Sequence, residues 1–296
     1  MKIGFIGLGR MGENMVLNLI EHKHDVVVYN RSPEKTREIA KKGATPSYSI
    51  NEMISKLPDR KIIWIMIKSG KPVDEMISQV LPFLTKGDII IDGGNSYYKD
   101  SKKRYAQLKK KGLGFLDVGT SGGTSGARNG ACMMIGGDKK DFGYCEKIFK
   151  DMCVDKGYGY FGSSGNGHYV KMVHNGIEYG MMAALAEGLT AIQKQDSKID
   201  MKEVAKVYSH GSIVAGSLSS WLYDSYMVKG YLEEISGVVP KGETEEEMQK
   251  LIKEKNMKIL AQAINMRKNT RKKASYEGKL ISAMRNQFGG HAFNKK

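Results

Sequence analysis

The sequence is short of the features that would set it apart from ordinary soluble enzymes. It has three cysteines in 296 residues, Cys132, Cys145 and Cys153. They form no C-x-x-C pair and no even-numbered framework, which argues against a zinc site and a disulfide scaffold and points to a reducing compartment. The longest unbroken apolar run, Ile62 to Ile67, falls far below the roughly 20 residues of a membrane helix. The opening residues, MKIGFIGLGRMG, run straight into a strand and a glycine loop and leave no room for a secretion signal. A soluble, cytoplasmic protein without a metal is therefore expected. No internal repeat or low-complexity tract is evident.

Acidic residues are also scarce, 32 against 47 lysines and arginines, for a net charge of +15. Such a balance suits nucleic acid, an anionic membrane or a phosphorylated small ligand. The basic runs at Lys109–Lys111 and Arg267–Lys273 have no interleaved aromatic residues of the kind a single-strand platform needs. They read as solvated basic surface, with neither nucleic acid nor membrane expected as a partner.

What remains is an ordinary globular composition, 41% hydrophobic and 27% charged, at a length of about two domains. Lys2 to Ile6 reads as a strand. The loop Gly7-Leu8-Gly9-Arg10-Met11-Gly12 follows, then a helical pattern at Met15, Leu19 and Ile20, then the β-rich run Val26 to Tyr29. Further buried strands are expected at Ile62–Ile67, Ile89–Asp92, Phe115–Val118 and Cys132–Ile135, separated by polar helices such as Asp74–Leu84 and Ser101–Lys111. That alternation implies an α/β Rossmann domain with a doubly wound, mainly parallel sheet over residues 1–164. After about Phe161 helical periodicity dominates, so an all-α domain is expected over 165–296. The glycine-rich stretch Gly157–Gly167 is the expected junction, and a helix from His168 to about Gln195 the first element beyond it.

G-x-G-x-x-G alone is a weak motif, but here it lies between strand and helix in the βαβ unit that opens the chain. Gly7 permits the tight turn, Gly9 lets the backbone approach a pyrophosphate, and Gly12 lets helix and strand pack closely. At the end of the second strand an NAD enzyme usually places a carboxylate for the ribose 2′-hydroxyl. This chain has Asn30, Arg31 and Ser32 there instead, which suits a 2′-phosphate and favours NADP over NAD.

In the segment Gly165 to Gly180, read as a helix, Lys171, His174, Asn175 and Glu178 fall at i, i+3, i+4 and i+7 and share one face. Val170, Met172, Val173, Ile177 and Met181 occupy the rest of the circumference. A helix that is apolar nearly all round is normally buried, so the polar stripe must line a cleft or form a salt-bridged structural stripe.

That segment resembles the catalytic helix of the 6-phosphogluconate dehydrogenases, within the wider β-hydroxyacid dehydrogenase superfamily. Asp92-Gly93-Gly94-Asn95-Ser96, Ser121 to Ala127, and Arg285-Asn286-Gln287-Phe288-Gly289-Gly290-His291 resemble the family too. With the dinucleotide loop, the resemblance spans nearly the whole chain, in the short form with one Rossmann and one helical domain. It implies oxidative decarboxylation of 6-phosphogluconate to ribulose 5-phosphate with NADP. Lys171 would take the proton from the substrate C3 hydroxyl as hydride leaves, then polarise the new carbonyl as carbon dioxide departs. Glu178 would protonate the resulting enediol at C1. Asn95, Ser121, Gly122, Gly123, His174, Asn175 and Tyr179 would bind the sugar acid, and Asn95 would also touch the cofactor. Arg285 and His291 resemble residues that, in long-form relatives, reach the neighbouring subunit's pocket, which implies a homodimer or homotetramer.

Two departures weaken the phosphate end. Where relatives often carry an arginine in a G-S-V-I-R-S stretch, this chain has Gly211-Ser212-Ile213-Val214-Ala215-Gly216-Ser217, and a G-K-W-T or G-R-W-T loop is replaced by Val239-Pro240-Lys241-Gly242-Glu243-Thr244. Loss of a charged hydrogen bond costs about 1.5 to 3 kcal/mol, roughly 10- to 150-fold in affinity. The alternatives are therefore a dehydrogenase of gluconate or another β-hydroxyacid, and a non-catalytic dinucleotide-binding scaffold, for which a paired base and acid would have no chemical use.

Overall fold

The computed structural model describes every residue except Glu243, and the chain divides into two compact units, Met1–Met172 and Val173–Lys296. The first alternates β1 (Lys2–Ile6), α1 (Arg10–Glu21), β2 (Asp25–Tyr29), α2 (Pro33–Ala40), β3 (Thr45–Ser47), α3 (Ile50–Ser55), β4 (Ile62–Ile65) and α4 (Lys71–Val80). It continues with β5 (Ile89–Asp92), α5 (Tyr98–Lys109), β6 (Gly114–Ser121), α6 (Gly123–Asn129), β7 (Ala131–Gly137), α7 (Lys139–Met152) and β8 (Cys153–Tyr160). The eight strands form one sheet in the order β3-β2-β1-β4-β5-β6-β7-β8. Every neighbouring pair is parallel except β6 with β7.

The apolar runs form strands because both faces of the sheet are covered. Ile3, Phe5, Ile62, Trp64, Ile89 and Ile91 face one core with Met15, Leu19, Ile148 and Phe149 from α1 and α7. Ile6, Ile63, Ile65, Ile90 and Phe115 face the other with Met53, Val73, Ile77 and Leu108 from α3, α4 and α5. Strand order reverses between β1 and β4, so the carboxyl ends of these strands flank the crevice where doubly wound sheets bind ligands. Gly7, at φ +100°, lies there so close to Met66 that a Cβ would stand 2.3 Å from its carbonyl oxygen.

Two strands differ from the sequence reading. β3 is a three-residue edge strand. In β8, Val154, Asp155 and Lys156 are exposed, so the strand has no apolar run, and the glycine-rich stretch from Gly157 begins inside it. An edge strand paired on one side needs little apolar character.

The second unit takes up α8 (Asn166–Gln195) from Val173 onward and adds α9 (Met201–Ser209), α10 (Ser217–Met227), α11 (Tyr231–Glu234), α12 (Glu245–Lys255), α13 (Lys258–Lys272) and α14 (Tyr276–Gly289). Asp200 caps α9 and Ser275 caps α14, each accepting from backbone N–H groups of the first turn. The core contains Met182, Leu189, Leu222, Met248, Leu251, Leu260, Ile264, Ile281 and Met284. Among the described residues no helix is long and apolar enough to cross a membrane.

A Cβ on Gly12 would stand 2.0 Å from the backbone oxygen of Gly7, and neither backbone can yield without opening the first turn. Gly12→Ala is expected to lower the unfolding free energy by about 3 kcal/mol, read as a lower midpoint in chemical denaturation.

Candidate active site

In the first unit three loops gather at the carboxyl edge of the sheet. The loop after β1 is tied to the end of β2 by Asn30, whose side chain accepts from the Leu8 amide (3.0 Å) and donates to the Ser32 carbonyl (3.1 Å). Leu8 is buried, Met11 half-buried, and Gly9 and Arg10 are exposed. No atom lies within 4 Å of the place a Gly9 Cβ would take, so the backbone at the start of α1 is open to an approaching phosphate and fits a dinucleotide. Arg31 and Ser32 are exposed at the end of β2. Asn30 thus spends its side chain on the backbone, leaving Arg31 and Ser32 available to a 2′-phosphate.

The loop after β5 hangs on a buried polar network. Asp92, fully buried, accepts from the Gly94 amide (3.2 Å), the Ser96 hydroxyl (2.8 Å) and Arg104 (3.1 Å). Arg104 also pairs with Asp74 at 2.7 Å. With its neighbours so fixed, Asn95 is exposed at the tip. The third loop, Ser121-Gly122-Gly123, ends β6, with Gly122 and Gly123 at φ +115° and +62°, a backbone conformation only glycine adopts without strain.

Lys171 lies directly over this last strand. A Cβ on Gly119 would stand 2.2 Å from Lys171 Cβ and 2.8 Å from its Cγ. The start of α8 is pressed equally close, since a Cβ on Gly167 would meet the Asp117 carbonyl oxygen at 2.3 Å and that of Met134 at 2.5 Å. Asp117, fully buried in β6, accepts from the Gly165 amide (2.6 Å), the His168 amide (2.9 Å) and the Ser164 hydroxyl (3.1 Å). It satisfies orphan donors of the first turn of α8 and places a negative charge at the positive end of the helix dipole. Lys171 itself is 9% exposed.

In the second unit α8 carries His174 and Glu178, both half-buried, and Asn175 and Tyr179, both buried. Glu178 follows Lys171 by two turns of one continuous helix, about 10 Å along its axis. Tyr179 shares a hydrogen bond with Thr244 (3.1 Å), and the Arg267 guanidinium stacks on its ring at 3.4 Å, an attraction of about 2 kcal/mol when desolvated. Arg285, also buried, donates to the Pro240 carbonyl at 3.1 Å and faces Gly242, as does the Tyr179 hydroxyl. Glu245 is 2% exposed and pairs bidentately with Arg271. Burial opposes its ionisation, but the Arg271 bonds and the pull of Arg271 and Arg267 hold its carboxyl below the usual range.

His291 lies edge-on to the Phe288 ring at 5.6 Å between centroids, and its carbonyl accepts from the Asn286 side chain at 3.0 Å. It is exposed on a C-terminal tail that folds back on its own unit, with Asn294 accepting from the Ser236 amide and the Lys296 amide donating to Glu234. In the two departing loops, Gly211–Ser217 is largely exposed and has no cation, and Lys241 is paired with Glu246 at 2.7 Å. Among the described residues of that second loop, Thr244 shares the hydrogen bond with Tyr179 and Gly242 lies beside its hydroxyl. Among the described residues no group of three or more His, Cys, Asp or Glu side chains could hold a metal.

Two sequence expectations are corrected. The circumference of α8 is not apolar and buried throughout, because Ile177 and Met181 are 55% and 52% exposed. The run Arg267–Lys273 is not a solvated patch either: Arg267 is 2% exposed and Arg271 is half-buried against Glu245. Their i, i+4 spacing sets both on the inward face of α13 with Ile264 and Thr270. Asp117 and Gly119 also escaped the sequence reading, although a glycine inside an apolar strand does signal a close backbone approach.

The chain matches two families in succession, described as the NAD binding domain of 6-phosphogluconate dehydrogenase over residues 2–162 and the 6-phosphogluconate dehydrogenase C-terminal domain over residues 167–255. It belongs to the 6-phosphogluconate dehydrogenase family. YqeC of Bacillus subtilis, provisionally named as a 6-phosphogluconate dehydrogenase, is 40% identical over 298 residues covering all of both chains. A protein of Haloferax volcanii named as NAD(+)-dependent, decarboxylating 6-phosphogluconate dehydrogenase is 32% identical over all of this chain and 99% of its own. The chain spans only 44% of the length of the Candida albicans relative, at 42% identity. Among solved structures, Plasmodium falciparum 6-phosphogluconate dehydrogenase aligns over 93% of this chain and 64% of its own, at 32% identity and a TM-score of 0.83.

The contact with Gly119 fixes the Cβ and Cγ of Lys171 against β6. Gly119→Ala is expected to displace Lys171 and lower turnover at least about 100-fold, with dinucleotide affinity within about threefold of the parent because that loop lies on other strands. Steady-state rates and a fluorescence titration with reduced dinucleotide check it.

Proposed function

We propose that this protein oxidises and decarboxylates 6-phosphogluconate to ribulose 5-phosphate and carbon dioxide, with NADP as the preferred oxidant. The observation that carries the reading is Lys171, nearly buried and seated on Gly119 two residues before the Ser121-Gly122-Gly123 loop, with Glu178 two turns further along the same helix. The dinucleotide, held by the Gly7–Gly12 loop with Arg31 and Ser32 at its 2′-phosphate, supplies the hydride acceptor. Lys171, as the free amine, takes the C3 hydroxyl proton as the hydride departs. The resulting ammonium donates a hydrogen bond to the new C3 carbonyl, and electrons from the breaking C1–C2 bond flow toward it as carbon dioxide leaves. Glu178 delivers a proton to the enediol carbon that becomes C1 of the pentulose, and the remaining enol proton returns to the protein. Asn95, Ser121, Gly122, Gly123, His174, Asn175 and Tyr179 hold the carboxylate, the hydroxyls and the phosphate. Arg285 and His291 reach into a substrate pocket, either of their own subunit or of its neighbour.

In this reading the protein works in the cytoplasm as a homodimer or homotetramer, and the exposed Ile177 and Met181 on α8 favour association. A second reading, oxidation of gluconate or another unphosphorylated β-hydroxyacid, is favoured by the cation-free Gly211–Ser217 loop and the Lys241–Glu246 pair. The name of the Haloferax volcanii relative keeps NAD as the alternative oxidant.

Incubation with 6-phosphogluconate and NADP is expected to yield reduced dinucleotide and carbon dioxide in equal amounts. Reduced dinucleotide without carbon dioxide supports the second reading, and neither product ends both. Lys171→Met is expected to slow hydride transfer by about 1,000-fold or more, and full retained activity excludes it as the base. Arg31→Ala is expected to weaken NADP by about 10- to 150-fold with little change for NAD. Equal losses for both would remove Arg31 from the 2′-phosphate.

A further inference from the structure

The second unit has a pocket of about 530 Å³ that the proposed reaction does not use. It lies where the ends of α8 and α10, the start of α9, the short helix α11 and the start of α14 come together. The residue of α8 on its wall is Gln193, about four turns beyond Glu178 and so about 22 Å along the helix axis. The pocket is therefore distinct from the site around Glu178 and Tyr179, and its volume is that of a small-molecule site.

The polar groups on its wall are short of acceptors. Tyr226 and Tyr276 share one hydrogen bond, at 2.5 Å between their hydroxyl oxygens. One of the two protons lies between them, and the other has no acceptor among the described residues. Burial pushes both phenols up, so both stay protonated at neutral pH. Lys279 gives one N–H to the Leu232 carbonyl at 3.1 Å and has no carboxylate bonded to it. Burial, and then the positive charge of Lys296, push its pKa down, and a bound anion would oppose both effects. Lys229 on the exposed rim and the Gln193 amide make no hydrogen bond or ion pair among the described residues. Glu233 is the acidic side chain on the wall; it is exposed, and its pull on Lys279 is weaker than the effects that oppose it.

Polar groups held partly out of water are favourable only when they are paired. Here the unpaired ones are nearly all donors, and two of them are cations. Beside them the wall is apolar, formed by Met201 and Leu232, both buried, and by Val228. We infer that this pocket is a second ligand site, which takes a small organic anion: its carboxylate or phosphate head is held by Lys279, Lys229 and the spare tyrosine proton, and its carbon skeleton lies on Met201, Val228 and Leu232. The inference does not depend on the reaction proposed above.

Calorimetric titration of the whole protein at fixed ionic strength, with monobutyl phosphate, pentanoate and butylamine as probes, tests it. At least one of the two anions is expected to bind the parent with a Kd of about 1 mM or below, and the tighter one identifies the head group. Butylamine, with a similar skeleton and the opposite charge, is expected not to bind. Lys279→Met should weaken the anion about 10-fold or more and Tyr276→Phe about fivefold. Lys229→Ala, at an exposed position where folding is not at risk, should weaken it at least about twofold. Arg31→Ala and Lys171→Met, altered in the proposed active site, should bind it as the parent does. Binding that is lost in those two variants but kept in the three pocket variants belongs to the reaction site and overturns the inference. So does a parent that shows no saturable binding of either anion, or one that binds butylamine as tightly. If the parent oxidises no sugar acid, the proposed function fails while the titration still decides the pocket.

Discussion

The placement of Lys171 depends on how one carboxylate is buried. Asp117 is enclosed within the sheet, where an unsatisfied charge would be strongly unfavourable, and its stabilisation comes from the Gly165 and His168 amides and the Ser164 hydroxyl. Those amides belong to the start of α8, whose first turn would otherwise leave donors unpaired. Two unfavourable situations cancel, and the cancellation fixes the helix along its axis. Gly167 and Gly119 then fix its distance from the strands, because both positions lack the Cβ that would hold it away. Lys171 is carried into place by these contacts, one turn in from the capped end.

The neighbouring strand uses the same device with a different partner. Asp92 is the register partner of Asp117 across β5 and β6, and both are fully buried. Two carboxylates side by side would repel in a medium of low dielectric. Asp92 is matched by the Arg104 guanidinium and by Ser96, whereas Asp117 is matched by backbone dipoles. Each charge therefore organises a different piece of backbone, the Gly93–Asn95 loop in one case and the α8 terminus in the other. Both pieces carry residues assigned here to the substrate.

How far all this could be read in advance follows from the kind of force involved. Strands buried on both faces, such as Ile62–Ile65 and Ile89–Asp92, stand out because burial leaves no choice but apolar side chains. The glycines of the first loop stand out because positive φ and close approach leave no choice but glycine. The face shared by Lys171, His174, Asn175 and Glu178 follows from helical spacing alone. Edge strand β8 does not stand out, since half its backbone groups need no partner strand and its residues can be polar. Arg267 does not stand out either. Within the run Arg267–Lys273 every cation looks alike, and only the packing of α13 decides that positions 267 and 271 turn inward while Lys268 and Lys272 remain exposed.

The glycines inside α8 follow the same logic beyond Lys171. Glycine in a helix interior costs about 1 kcal/mol relative to alanine, yet α8 has Gly176 and Gly180 flanking Glu178 and Tyr179. A Cβ at Gly176 would meet Leu260 at 3.2 Å, and one at Gly180 would meet Ile259 at 3.1 Å, both residues of α13. The propensity loss is offset by a close approach of the two helices. That approach brings Arg267, also on α13, to within stacking distance of Tyr179. Within the second unit, α8 is thus seated by glycines against α13. Tyr179 takes its place against Arg267 from glycine contacts with the Leu260 and Ile259 side chains, which no polar motif records.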